Sequence, residues 1–202
     1  MVESSVAYLY VDDYITAFSS IIDTYKTAYE TRNNNAEYAH EHGISELIAH
    51  SDGIGFALKD LDKNGTPELI IAGIDPDSLA HNTVYDIYTL ENNKPVNIGT
   101  PSEKLRYFVR TDNTILYWDL HLKHPDYVVY ALTRLNGSRL EAIESLITGF
   151  PETGPADRFY YQAGSDSVPP SANSISISIE EHSNRFLQWC STEYIPPLTR
   201  IY

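Results

Sequence analysis

Asp60-Leu61-Asp62-Lys63-Asn64-Gly65-Thr66-Pro67-Glu68-Leu69 is the stretch whose reading decides the fold. Oxygen-bearing side chains recur at every second position, Asp60, Asp62 and Asn64, and a carboxylate returns at Glu68. Apolar runs flank it, Phe56-Ala57-Leu58 before and Leu69-Ile70-Ile71-Ala72 after. Short apolar runs on either side of a turn-rich segment predict a β-hairpin over 54–59 and 68–74. The loop has the chemistry of a hard-cation site, because calcium takes six to eight oxygens from carboxylates, amides, carbonyls and water. With Asp60 as position 1, Asp62, Asn64, Thr66 and Glu68 fall at 3, 5, 7 and 9, and Gly65 stands at the sharp turn. Position 12, where an EF-hand needs a bidentate Glu, is Ile71. The flanks also read as strands. A conventional EF-hand is therefore not expected, and a shorter acidic loop between strands is the better match. Its ligands would be Asp60, Asp62, Asn64 and Glu68 by side chain and Thr66 by its carbonyl. The competing reading is a metal-free hairpin, since Asp, Asn and Gly favour turns through local hydrogen bonds.

Outward from the loop the chain reads as α+β. N-terminal helices and a C-terminal helix pack on a mostly antiparallel β-meander, expected as one domain over 1–202. Residues 1–50 form its helical part, 54–162 its strands and 175–202 the last helix and tail. Tyr14, Ile15, Phe18, Ile21, Ile22, Tyr25, Ala28 and Tyr29 recur at helical spacing and predict a helix over 12–31, with Asp12 and Asp13 at its start. Residues 1–11 either extend it or form an extended arm. A second, weaker helical region is expected over 36–50. Strands follow at 83–91, 94–98, 105–110, 114–120, 126–135, 139–147 and 159–162. The turns between them fall at Asn92-Asn93-Lys94, Asp112-Asn113 and Asn136-Gly137. Residues 163–174 read as an exposed loop. Ser178 and Glu181 form a capping box opening a helix near 179–192.

Composition narrows the function classes. The 202 residues carry 28 acidic and 14 basic side chains, a net charge of −14. Such a surface repels phosphate backbones, so no nucleic-acid partner is expected. No segment approaches the roughly 20 apolar residues of a membrane span. Residues 1–11 show no basic start followed by an apolar core, so no signal peptide is legible there. Cys190 is the single cysteine, which excludes an intramolecular disulfide and a cysteine-based zinc site. The sixteen tyrosines lie mostly in strand-like runs. They read as half-buried sheet residues, or as a contact platform formed by Tyr85, Tyr88, Tyr107, Tyr117 and Trp118.

The segment FALKDLDKNGTPELIIAGID…VYDIYTLENNKPVNI resembles a recurrent segment of uncharacterised bacterial secreted proteins and lipoproteins. Its acidic loop is also similar to the calcium loops of FG-GAP and VCBS repeats. The resemblance is good over 54–98 and extends plausibly to 127–147. It implies calcium held by Asp60, Asp62, Asn64 and Glu68 with the Thr66 carbonyl, a secreted or cell-surface location, and a binding or structural role without a reaction. The partners it implies are extracellular polysaccharides, peptides or proteins. One acidic loop alone does not support a complete propeller.

Other constellations are weaker. Asp119, His121 and His124, or His40, Glu41, His42 and His50, offer metal-ligand types without the H-E-x-x-H spacing. The acid pairs Asp12-Asp13, Asp75 with Asp77, and Glu180-Glu181 each have a capping or turn explanation. No nucleophile elbow, P-loop or dinucleotide fingerprint is present. The expectation is a non-enzymatic domain. The alternatives are a glycan-acting hydrolase and an acidic inhibitor or immunity-like protein. Composition and motifs leave the oligomeric state open.

Overall fold

A computed structural model describes residues 3–31, 52–74, 84–99, 105–120, 125–150, 158–168, 170, 173–191 and 197–201. The expected helical region at 36–50 and the groups His40, Glu41, His42, His50, Asp75, Asp77, His121 and His124 lie outside these residues. Antiparallel strands dominate, with one helix near each end of the chain. The chain divides into two compact units, residues 1–100 with 196–202, and residues 101–195.

The first unit contains helix α1 (Glu3–Thr31) and strands β1 (Ile54–Lys59), β2 (Glu68–Gly73), β3 (Val84–Glu91) and β4 (Lys94–Gly99). Each of these strands pairs antiparallel with the next. The expected hairpin around the acidic loop is present, with Lys59 opposite Glu68 and Leu58 opposite Leu69. β3 turns into β4 through Asn92 and Asn93, both at positive φ (51° and 60°), the mirror-image turn that suits the twist of a hairpin.

α1 begins nine residues before the expected start, so Glu3–Val11 are helical rather than an extended arm. Asp12 and Asp13 are consequently exposed mid-helix residues and not a cap, and the Asp12 carbonyl accepts the Thr16 hydroxyl at 2.8 Å. The apolar stripe does pack as its spacing requires. Phe18, Tyr25, Ala28 and Tyr29 are buried against Ile54, Phe56, Leu69, Ile71, Tyr85 and Tyr88. Full burial of each large side chain stabilises by about 1.5–3 kcal/mol.

The expected C-terminal tail instead supplies a short strand, β11 (Thr199–Arg200), antiparallel to β1. A Cβ on Gly55 would stand 2.9 Å from the Leu198 Cβ and 3.2 Å from the Thr199 carbonyl oxygen. Glycine at 55 is thus what lets the end of the chain lie against β1.

The second unit runs β5 (Leu105–Val109), β6 (Ile115–Leu120), β7 (Tyr127–Asn136), β8 (Arg139–Gly149), β9 (Arg158–Ala163), β10 (Ile175–Ile177) and helix α2 (Ile179–Cys190). Each strand from β5 to β10 pairs antiparallel with its successor. Asn136 pairs with Arg139, so the tight turn is Gly137-Ser138, one residue later than Asn136-Gly137. β10 was not expected, since three residues are too few to show an alternation against the helix cap that follows. The capping expectation holds at its first half: the Ser178 hydroxyl oxygen accepts the Glu181 N–H at 3.1 Å.

α2 covers one face of this sheet. Leu116, Leu132, Leu146 and Trp189 form the buried centre, with Phe108, Trp118, Tyr130, Tyr161, Phe186 and Cys190 around it. At the helix C-terminus the Arg110 guanidinium donates to the Trp189 carbonyl at 3.2 Å and pairs with Asp112 at 3.1 Å. A cation there complements the helix dipole.

His182 faces inward from α2, 8% exposed, between Tyr130 (ring centroids 6.0 Å apart) and Phe159 (5.0 Å), with Nε2 3.3 Å from the Thr148 hydroxyl. Burial depresses its pKa below the usual imidazole value. The unfolded chain then binds a proton that the folded one resists, so this unit is expected to lose stability as pH falls through and below about 6.5. Thermal melts from neutral to mildly acidic pH check this. The loss should shrink in His182→Gln, and an unchanged pH profile in that variant would refute it.

Candidate metal site

The acidic loop joins β1 to β2, and the two strands fix its ends. Two residues leave the usual backbone region, Lys63 (φ 62°) and Gly65 (φ 91°). At Gly65 the missing Cβ removes the steric penalty of that conformation. The Lys63 side chain is exposed.

Side-chain oxygens organise the turn from within. The two carboxylate oxygens of Asp60 accept the N–H groups of Asn64 (3.1 Å) and Gly65 (2.9 Å). Asp62 accepts the Asn64 N–H at 3.0 Å and its side-chain amide at 2.9 Å. The Asn64 side-chain oxygen in turn accepts the Thr66 N–H at 2.7 Å. From α1, the Tyr14 hydroxyl donates to the Gly65 carbonyl at 3.3 Å. Each carboxylate oxygen has two lone pairs, so these bonds leave acceptor capacity for a cation.

Glu68 differs from the two aspartates. It is 0% exposed, at the first position of β2. Its Oε2 accepts the Leu61 N–H at 2.8 Å and its Oε1 accepts the Thr89 hydroxyl at 3.0 Å. The carboxylate is therefore held from the loop on one side and from β3 on the other. Burial pushes its pKa from 4.5 up to about 7. The two hydrogen bonds oppose that rise, while repulsion from Asp62 and Asp60 adds to it.

Carboxylate oxygens of Asp60, Asp62 and Glu68 lie within 4.8 Å of one another. Three of the five residues expected as ligands thus converge. Asn64 spends its side chain on the turn, bonding Asp62 and the Thr66 N–H. Thr66 is half-buried. An all-oxygen set with three carboxylates suits a hard divalent cation and has none of the nitrogen or sulfur donors that zinc prefers. The residues that pure spacing did not disclose are Thr89 and Tyr14, which reach the loop from β3 and α1. Nothing local to 60–68 marks either of them.

Asp119 is buried on β6, 1% exposed. Glu180 and Glu181 occupy the first turn of α2, where negative charge complements the helix dipole, and Glu181 pairs with Arg185 at 3.0 Å. The aromatic platform is overturned: Tyr85, Tyr88, Tyr107 and Tyr117 are each no more than 8% exposed. Trp118 is packed among Phe108, Phe186 and Tyr130, with ring centroids 4.5, 5.6 and 5.9 Å away. Four of these rings are buried and Trp118 is half-buried among its ring neighbours, so they build core rather than an exposed platform.

No family model, no curated protein and no solved structure matches the chain.

Proposed function

We propose that this chain is a non-enzymatic binding or structural domain of the cell exterior whose 60–68 hairpin is stapled by calcium. The observation that carries the reading is the convergence of the Asp60, Asp62 and Glu68 carboxylates within 4.8 Å, on a loop whose ends are fixed by paired strands. The Thr66 carbonyl and water would complete the oxygen shell, with Asn64 holding the turn. Calcium would neutralise three carboxylates that otherwise repel one another, and so order the hairpin rather than perform a reaction. The resemblance of the loop to those of secreted proteins supports the exterior location. An exterior polysaccharide, peptide or protein is the partner class that follows.

The test is thermal unfolding in millimolar calcium against chelator. A cation present at 100 times its Kd stabilises by about 2.7 kcal/mol. That corresponds to a rise of several degrees in Tm for a chain of this size, at about 2–4 °C per kcal/mol. The Asp60→Ala/Asp62→Ala double variant should show no rise. Absence of a shift in the wild type, or an equal shift in the variant, would remove the metal from this reading.

A further inference from the structure

β10 is three residues long and pairs with β9 along one edge. Among the described residues, no strand pairs with its other edge. An open edge presents backbone N–H and C=O groups as a template for another strand, and natural sheets usually guard such edges with charge, proline or a bulge. β10 has none of these, and its brevity is the one guard it shows. Ile175-Ser176-Ile177 is uncharged, and no charged residue stands between Asp166 and Glu180. The three most exposed large apolar residues among those described lie on β10 and on α2, which follows it in the chain. Ile175 is 59% exposed, and Ile179 and Leu187 on the adjoining α2 are 63% and 64% exposed.

The order of residues here says what fits. Ser174-Ile175-Ser176-Ile177-Ser178 reads the same in both directions about Ser176. Two copies pairing antiparallel across a two-fold axis each meet the other's reversed sequence, and a C2 contact must be self-complementary. Centred on Ser176, Ile175 of one copy lies opposite Ile177 of the second, on the same face, as an aliphatic cross-strand pair. Charge favours the same register. Copies of a chain with net charge −14 repel, and an uncharged edge is where that repulsion is least. Antiparallel pairing also sends the two Glu180-Glu181 pairs to opposite ends of the joined strands. From Ser178 of one copy to Ser178 of the other, the joined strands span about 13 Å at about 3.3 Å per residue, longer than a screening length of about 8 Å.

We propose that β10 is a self-association edge, and that two copies of this chain join their β9–β10 sheets by antiparallel pairing centred on Ser176. The occupant is a second copy, and the inference is independent of the calcium reading. A three-residue strand offers little contact area beside the roughly 1,000 Å² of a stable interface, so association is weak.

Sedimentation velocity from micromolar to millimolar protein tests it. The wild type should shift from monomer to dimer across that range. Ile175→Lys should weaken association about tenfold or more with Tm unchanged, because the side chain is mostly exposed and a charge guards the edge. Register is tested by disulfide trapping in a Cys190→Ala background. Antiparallel partners lie about 4.5–5.5 Å apart at Cα, within disulfide reach. Ser176→Cys should therefore give a covalent dimer under mild oxidation, and Ser183→Cys on the exposed side of α2 should not. A wild type monomeric throughout, association unaffected by Ile175→Lys, or equal trapping at both positions would each overturn the proposal.

Discussion

Asp86→Ala is expected to lower the stability of the first unit by about 3–5 kcal/mol. Asp86 is 0% exposed on β3, directly beneath α1. One carboxylate oxygen accepts the hydroxyl of Tyr25 from the helix and that of Tyr88 (3.4 Å), and the other accepts the Asn97 side-chain amide at 2.8 Å. Alanine would leave the hydroxyls of the buried Tyr25 and Tyr88 without this acceptor, while the amide of the exposed Asn97 can turn to water. The cost of unsatisfied buried polar groups then adds to that of a cavity. Tyr25→Phe removes one donor and keeps the ring packed, so it should cost only about 1–2 kcal/mol. Chemical denaturation of both variants checks the order. Equal losses would mean that the carboxylate is not the hub that ties α1 to the sheet. Amide exchange along α1 gives a second readout, because protection should fall further in Asp86→Ala than in Tyr25→Phe.

In chelator, stability is expected to decline as pH rises from about 4.5 to about 7, through Glu68. Its carboxyl ionises near 4.5 in the unfolded chain and near 7 in the folded one. Within that window the folded state holds more protons, so each rise in pH favours unfolding. The loss is complete above the folded value and is on the order of 3 kcal/mol. Urea unfolding at several pH values, compared between wild type and Glu68→Gln, isolates this contribution from that of His182, whose dependence runs in the opposite direction. The slope should flatten in Glu68→Gln. A variant with the wild-type slope would show that Glu68 is not the titrating group. Calcium should flatten the wild-type slope as well, because a bound cation competes with the proton for the same oxygens.

Much of the fold was legible along the chain, and particular elements show why. Hairpins closed by Asn92-Asn93 and Asp112-Asn113 are local objects, set by residues that accept positive φ between runs of β-branched and aromatic side chains. The α1 stripe and the Ser178 cap are equally local. The elements that escaped are those whose partners are distant. β11 is two residues long, and it is a strand only because β1 is there to pair with it. β10 is likewise a strand by virtue of β9. The start of α1 stayed open between residue 12 and an extension over 1–11, because acidic residues at 12 and 13 imitate a cap.

The candidate site divides in the same way. Asp60, Asp62 and Glu68 were legible because alternate positions of a short loop turn toward one point. The state of Glu68 was not, since its burial and its Thr89 partner, 21 residues away, come from the sheet. The tyrosines were the clearest misdirection: their spacing suits a surface platform as well as a core. Asp86 carried a signal that went unused, a charge in the otherwise uncharged run Val84-Tyr85-Asp86-Ile87-Tyr88.

By itself the sequence determined the strand-and-turn order, the acidic hairpin and the helix cap, because periodicity, turn chemistry and side-chain to backbone bonds act over a few residues. Tertiary structure alone decided which aromatic rings are core, which carboxylates lose water, and that Asp86 binds Tyr25 from 61 residues away. Desolvation and long-range pairing depend on what the rest of the chain lays against a residue, and no local pattern encodes that.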